Sequence, residues 1–125
     1  MIRTEEEKLI SLYGMFGEEF LGSRAKGEIV REMIEKEILK KGRKVVLDFA
    51  GIKGITQSFG DEILGIFARA FGKEWIKQNI RVVNLDENVR HILNLSIKLS
   101  LWYSQNMSSS PSSSSNVNFS QKLKP

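Results

Sequence analysis

The chain contains no cysteine and a single histidine, His91. Without thiols there is no disulfide framework, no cysteine nucleophile and no thiolate metal site. One imidazole does not build a catalytic triad or a zinc site, and His91, set among apolar neighbours, reads as a packing or surface residue. Long hydrophobic runs are missing too: nothing approaches the roughly 18 apolar residues of a membrane-spanning helix, and residues 1–8 lack the apolar stretch of a secretion signal. A soluble, cytoplasmic protein with no membrane partner is the expectation.

Charge of one sign is also scarce. The 19 basic and 15 acidic residues give a net charge of +4, but Lys122 and Lys124 supply two of those charges, leaving 17 against 15, or +2, for the rest. The basic residues Lys40, Lys41, Arg43 and Lys44 gather around Gly42, where a helix end meets a strand and cations complement the helix dipole. That balance argues against a nucleic-acid partner.

Core-forming residues are unevenly spread. Residues 104–125 hold four apolar side chains, with nine serines between Ser104 and Ser120, whereas residues 1–103 hold 47 apolar side chains. A segment that poor in apolar groups does not offset the entropy of ordering itself. The division predicted is a small domain with one core over residues 1–103 and a Ser-rich flexible tail over 104–125. The tail reads as a natural linker, a regulatory phosphorylation tail, or sequence foreign to the domain.

What is present is an alternation of strand and helix patterns without internal repeats. Residues 8–16 are apolar and short, which predicts a strand or edge hairpin. Ser23 is a good N-cap, and Ile29, Val30, Met33, Ile34 and Ile38 share one face of a helix over 24–40 that ends at Gly42. The β-branched and aromatic run 44–50 predicts a central buried strand. A glycine-punctuated loop over 51–57 leads to a second helix in which Phe59, Ile63, Ile66, Phe67, Ala70 and Phe71 recur at helical spacing, with Gly72 as terminator. Residues 80–85 predict another strand, and Asp86 caps a third helix over 87–101 with Val89, Ile92, Leu93 and Ile97 on its apolar stripe. Trp75 and Trp102 close such stripes as core or rim residues. The order β-α-β-α-β-α implies an α/β domain with parallel inner strands. With a hairpin at 8–16 it becomes a four-stranded mixed sheet packed against helices.

In such sheets, ligands and partners meet the loops at the carboxyl ends of strands. Here those are Asp48 and the residues up to Glu62. Ser58 and Asp61 have the spacing of a capping box, in which the serine oxygen accepts from an amide and the acid reaches back. An exposed hydroxyl at a helix start is equally a phospho-acceptor, although Asp61 and Glu62 would repel the added dianion. Asp48 reads as an anchor for the loop amides after its strand. Arg24, next to Ser23, lies in the first turn of a helix, where a cation is electrostatically misplaced, so it is expected to pair with Asp48, Asp61 or Glu62. No Walker loop or second acidic cluster accompanies Asp48 and Asp61, and no metal, cofactor or catalytic constellation is expected.

Three blocks, FLGSR at 20–24, VVLDF at 45–49 and ITQSFGDE at 55–62, occur in the order seen in a known family. Over roughly residues 8–100 the chain resembles the STAS-like domain family of unknown function, prokaryotic relatives of the anti-sigma-factor antagonists. The resemblance implies a small four-stranded α/β domain that acts as a protein-interaction switch and is not an enzyme. In the antagonists, a serine or threonine at the helix start after the aspartate-ending strand is phosphorylated by a partner kinase. By position, Asp48 matches the strand aspartate, and Ser58 or Thr56 falls in the phospho-acceptor region. This chain lacks the Asp-Ser pair of the antagonist loop and the Gly-Leu-Gly that follows it.

The implied partner is a regulatory protein, a histidine-kinase-type ATPase or an anti-sigma factor. It would dock on Thr56, Ser58, Phe59, Asp61 and Glu62 and the following helix, flanked by Asp48, Ser23 and Arg24. The alternative is a nucleotide or small-ligand site built on Asp48, Ser58 and Asp61. The apolar ends of the second and third helices leave a homodimer open.

Overall fold

The run Lys44–Asp48 (β3) forms the middle strand of a three-stranded sheet in a computed structural model that describes residues 6–107. Val45, Val46 and Leu47 are all buried, as a strand covered on both faces requires. On one side lies Glu7–Ser11 (β1), with Leu9 opposite Val46, and on the other Ile80–Val83 (β5), with Arg81 opposite Val46. Both pairings are parallel.

Of the strand or edge hairpin expected at 8–16, the strand forms over Glu7–Ser11 but the hairpin does not. After β1 the chain turns into the short helix Leu12–Phe16 (α1), because Ser11 Oγ accepts from Gly14 N at 3.0 Å and Leu12 is fully buried. Gly17, at φ 66°, ends that turn. Phe20–Leu21 (β2) then pairs in parallel with Gly54–Ile55 (β4) as a separate two-stranded sheet. The expected single mixed sheet of four strands is thus corrected to parallel sheets of three and two strands in a small α/β fold.

Helix Arg24–Glu35 (α2) links β2 to β3. Ser23 caps it by accepting from Lys26 N at 3.2 Å, and Val30 and Ile34 pack inward. It continues as a π-helical turn, Lys36–Lys40, before Gly42 at φ 71°, where the helix was expected to end. After β4, Gln57–Gly60 (α3) passes into a second π turn, Asp61–Gly65, and then Ile66–Phe71 (α4). Gly72, at φ 93°, separates α4 from a helix absent from the sequence expectations, Lys73–Asn79 (α5). Trp75 of α5 stacks on Phe67 and Phe71 of α4 at centroid distances of 5.5 and 4.4 Å.

Asp86 caps the last helix, Glu87–Met107 (α6), by accepting from Asn88 N at 2.9 Å. That helix runs past the expected end at Leu101 and includes the first four residues assigned to the tail; Ser104 Oγ donates to Arg69 O at 3.2 Å. The remainder of the predicted tail, 108–125, lies outside the described residues. The core joins Ile10, Val45 and Leu47 of the sheet to Ile34, Phe59, Ile63, Phe67 and Val89 of the helices. No described helix is long and apolar enough to cross a membrane.

Candidate functional site

Thr56, not Ser58, caps α3. Its Oγ1 accepts from Phe59 N at 3.3 Å and donates to Gly22 O at 3.1 Å, while its amide donates to Leu21 O at 3.0 Å. Two of these bonds fasten the corner to the end of β2, and the third closes the first turn of α3. The physical reason for the correction is Phe59, whose ring is fully buried in the core. Seating that ring sets the helix start at Gln57 and leaves Ser58 inside the first turn, so the capping box with Asp61 does not form. Ser58 is half-buried, with its Oγ 3.2 Å from Thr56 Oγ1. Phe59 anchors the corner from inside and offers no contact surface.

The arginine misplaced at the start of α2 finds its acid. Arg24 Nη1 donates to Glu62 Oε2 at 2.6 Å and lies 3.6 Å from Asp61 Oδ2. Glu62, only 7% exposed, also accepts from Arg31 Nε at 3.1 Å through its other oxygen. Asp61 accepts from Arg69 Nη1 at 2.6 Å and Nη2 at 3.3 Å. Burial pushes the Asp61 carboxyl up, but hydrogen bonds and charge from Arg69, with Arg24 adding to them, outweigh it and hold the group below the usual carboxylate range. The Arg24 and Arg31 guanidiniums are pushed up chiefly by Glu62, and that of Arg69 by Asp61. Both acids expected to repel a phosphate are therefore already compensated by arginines.

Asp48 is not Arg24's partner. Its Oδ1 accepts from Ala50 N and from Asn84 Nδ2, each at 2.9 Å, and these bonds, Asn84's first, lower its pKa. It anchors the loop after β3, as its position suggests.

Between the α3 corner and α6 an open cleft of about 510 Å³ runs from Ser58 and Asp61 to Ser96, Ser100 and Tyr103. Arg24 and Arg69 also line it. Asp48 does not line it, so this cleft is not a site shared by Asp48, Ser58 and Asp61. Among the described residues no three His, Cys, Asp or Glu side chains gather to hold a metal ion.

Arg69, Ser96, Ser100 and Tyr103 were not foreseen in the site. The available signal was small residues, glycines five apart and serines four apart. A Cβ on Gly60 would stand 2.7 Å from Ser96 Oγ, and one on Gly65 would stand 2.9 Å from Ser100 Oγ and 2.5 Å from Asp61 Oδ1. Gly60 and Gly65 thus let α6 close on the π turn with Ser96 and Ser100 facing them, one helical turn apart.

A family model described as a STAS-like domain of unknown function matches residues 26–90, just over half the chain. It covers β3, the Thr56 corner, Asp61, Glu62 and Arg69, and it leaves Arg24 and the α6 wall of the cleft outside the matched stretch. Neither the curated proteins nor the solved structures yield a match.

Proposed function

Because the chain belongs to the STAS-like domain family of unknown function, we propose that it is a regulatory protein-interaction domain, without catalytic activity of its own, that docks a partner on the Thr56 corner and the helix that follows. The observation that carries this reading is the pair of hydroxyls, Thr56 Oγ1 and Ser58 Oγ, 3.2 Å apart on a corner fastened to β2. A corner already held in one conformation spares a partner the cost of ordering it. Thr56 and Gln57 are exposed, and Arg24 flanks them with its side chain 58% exposed.

Ser58 is the better phospho-acceptor of the two. Thr56 Oγ1 is occupied as cap and as donor to Gly22 O, so modifying it would dismantle the corner. A phosphate on Ser58 would enter the cleft that Arg24 and Arg69 line, where its charge of about −1.5 to −2 would compete with Asp61 and Glu62 for the guanidiniums. The switch would thus redistribute arginine contacts across α2, the π turn and α4. A kinase-type ATPase or an anti-sigma factor is the partner class to which the family resemblance points, and the cytoplasm is the matching compartment.

The test is site-specific photo-crosslinking in the native host from Gln57, with Arg81 on β5 as a distant control site. The expected result is one protein adduct from Gln57, absent from Arg81 and altered in yield by Ser58→Glu, with intact mass of the native protein reporting a phosphoryl group. Identical adducts from both positions, unchanged by Ser58→Glu, would overturn the reading.

A further inference from the structure

We infer that the cleft between the Thr56 corner and α6 is a binding site for a metabolite-sized oxyanion, a carboxylate or phosphate ester carrying an apolar group. This goes beyond partner docking, because its ligand is a small molecule and its far wall is α6. At about 510 Å³, the cleft falls in the size range of small-ligand sites.

The lining is suited to an oxyanion. Arg24 and Arg69 face the cleft with one carboxylate, Asp61, between them, while Glu62 is almost wholly buried. Both guanidiniums are ion-paired, Arg24 with Glu62 and Arg69 with Asp61, so what they offer the cleft is unused N–H donors. Arg24 makes its contacts through Nη1, which leaves Nε and Nη2 with donors to offer. Arg69 likewise uses Nη1 and Nη2, leaving Nε. Planar guanidinium edges of this kind match the geometry of carboxylate and phosphate oxygens.

A second and independent observation comes from α6. Ser96 is 2% exposed and lines the cleft, and its Oγ is the buried side-chain oxygen without a hydrogen-bond partner among the described residues. Native interiors rarely leave such a group unpaired, and an unpaired one calls for an explanation. One turn on, Ser100 Oγ accepts from Arg69 Nη1 at 2.9 Å and keeps its own proton to donate. Ser96 and Ser100 thus stand on the α6 wall of the cleft beside the arginine edges. At its rim Leu99 and Tyr103, 48% and 53% exposed, supply an apolar surface for the rest of the ligand.

The probe is phenyl phosphate, titrated into the isotopically labelled full chain and followed by NMR at the Arg24 Nε–H and the Ser96 and Gln57 amides. Benzoate separates carboxylate from phosphate preference, and benzyl alcohol serves as the neutral control. Saturable shifts with at least one of the two anions and none with benzyl alcohol are expected. Arg24→Gln should weaken binding about tenfold, the worth of one charged hydrogen bond. Tyr103→Ala, at an exposed position, should weaken it several-fold while leaving the fold intact, and it decides the matter if Arg24→Gln perturbs folding. Absence of saturable shifts with both anions, or equal shifts in the wild type and Tyr103→Ala, overturns the inference. A failure here leaves the crosslinking result from Gln57 untouched, so the two readings fall separately.

Discussion

Arg24, in the first turn of α2, donates through Nη1 to Glu62 Oε2 at 2.6 Å across 38 residues of sequence, and the same carboxylate accepts from Arg31, two turns further along the same face of α2. A helix N-terminus disfavours a cation, so the pair, not the dipole, explains the arginine. Glu62 is the shared anion that clips α2 to the π turn. Glu62→Gln is therefore expected to destabilise the protein by about 2–3 kcal/mol, since it leaves two guanidiniums facing a neutral amide in a largely buried position. Arg24→Gln should cost less, because Arg31 remains. Urea denaturation of both variants checks the order, and equal stability of Glu62→Gln and wild type would remove Glu62 from that role.

The same clip depends on a missing methyl group. A Cβ on Gly27 would stand 2.7 Å from Glu62 Cβ and 3.4 Å from Phe59 O. Glu62 Cβ is rooted in the backbone of the π turn, so it cannot swing aside as a side-chain tip would. Alanine would be favoured over glycine by about 1 kcal/mol in an isolated helix. Here the crowding should outweigh that preference, and Gly27→Ala is expected to lower stability by about 1–2 kcal/mol net. A variant more stable than wild type in urea would show that α2 and the π turn are free to separate.

The parts legible in the sequence were those with a strong periodic or electrostatic signal. The apolar stripe of α6, the β-branched run of β3, the caps Ser23 and Asp86 and the buried face of α2 and its π turn at Val30, Ile34 and Ile38 follow from spacing and residue type, whereas Ile29, expected on that face, is 49% exposed. Arg24 announced its need for an acid, though three acids were equivalent until the π turn brought Asp61 and Glu62 to its side. β2 and β4 were invisible because two-residue strands have no period. The segment 8–16 misled because apolar density does not distinguish a strand from a strand followed by a helical turn around Leu12. Thr56 and Ser58 carry the same capping chemistry, and only the burial of Phe59 decides between them. The cleft was hidden because its walls come from residues some 40 positions apart, brought together by the close approach at Gly60 and Gly65.

At the other end of the loop, Asp48 should register in the pH dependence of stability. Its hydrogen bonds from Asn84 and Ala50 lower its folded pKa. A carboxyl with a depressed folded pKa contributes stability that is fully present above the unfolded value, near 4, and is lost as pH falls through the folded value. Asn84 sits at φ 59°, so Asn84→Gly removes the donor while keeping that backbone conformation accessible. The gap in urea midpoint between wild type and Asn84→Gly is expected to hold steady from about pH 7 to pH 5 and to narrow below about pH 4. A gap that stays constant through the acid range would mean that the Asn84 bond does not favour the ionised form.

The identity of the cap has a consequence for any switch at this corner. Thr56 Oγ1 satisfies the Phe59 amide and holds Gly22 O, whereas Ser58 Oγ lies beside Thr56 Oγ1 and at the edge of the cleft. Thr56→Ala should therefore lower stability by about 1 kcal/mol or somewhat more, the usual loss for a cap with one further bond. Ser58→Ala should change it by less than about 0.5 kcal/mol, as expected for a hydroxyl without a capping role. Paired urea titrations measure both, and an equal loss in the two variants would mean that the hydroxyls act as one unit. The inequality matters because a modification site must tolerate a change of its own side chain. On the proposed reading, Ser58 would gain or lose a charged group while Thr56 keeps the corner in place, which separates support from signal at this position.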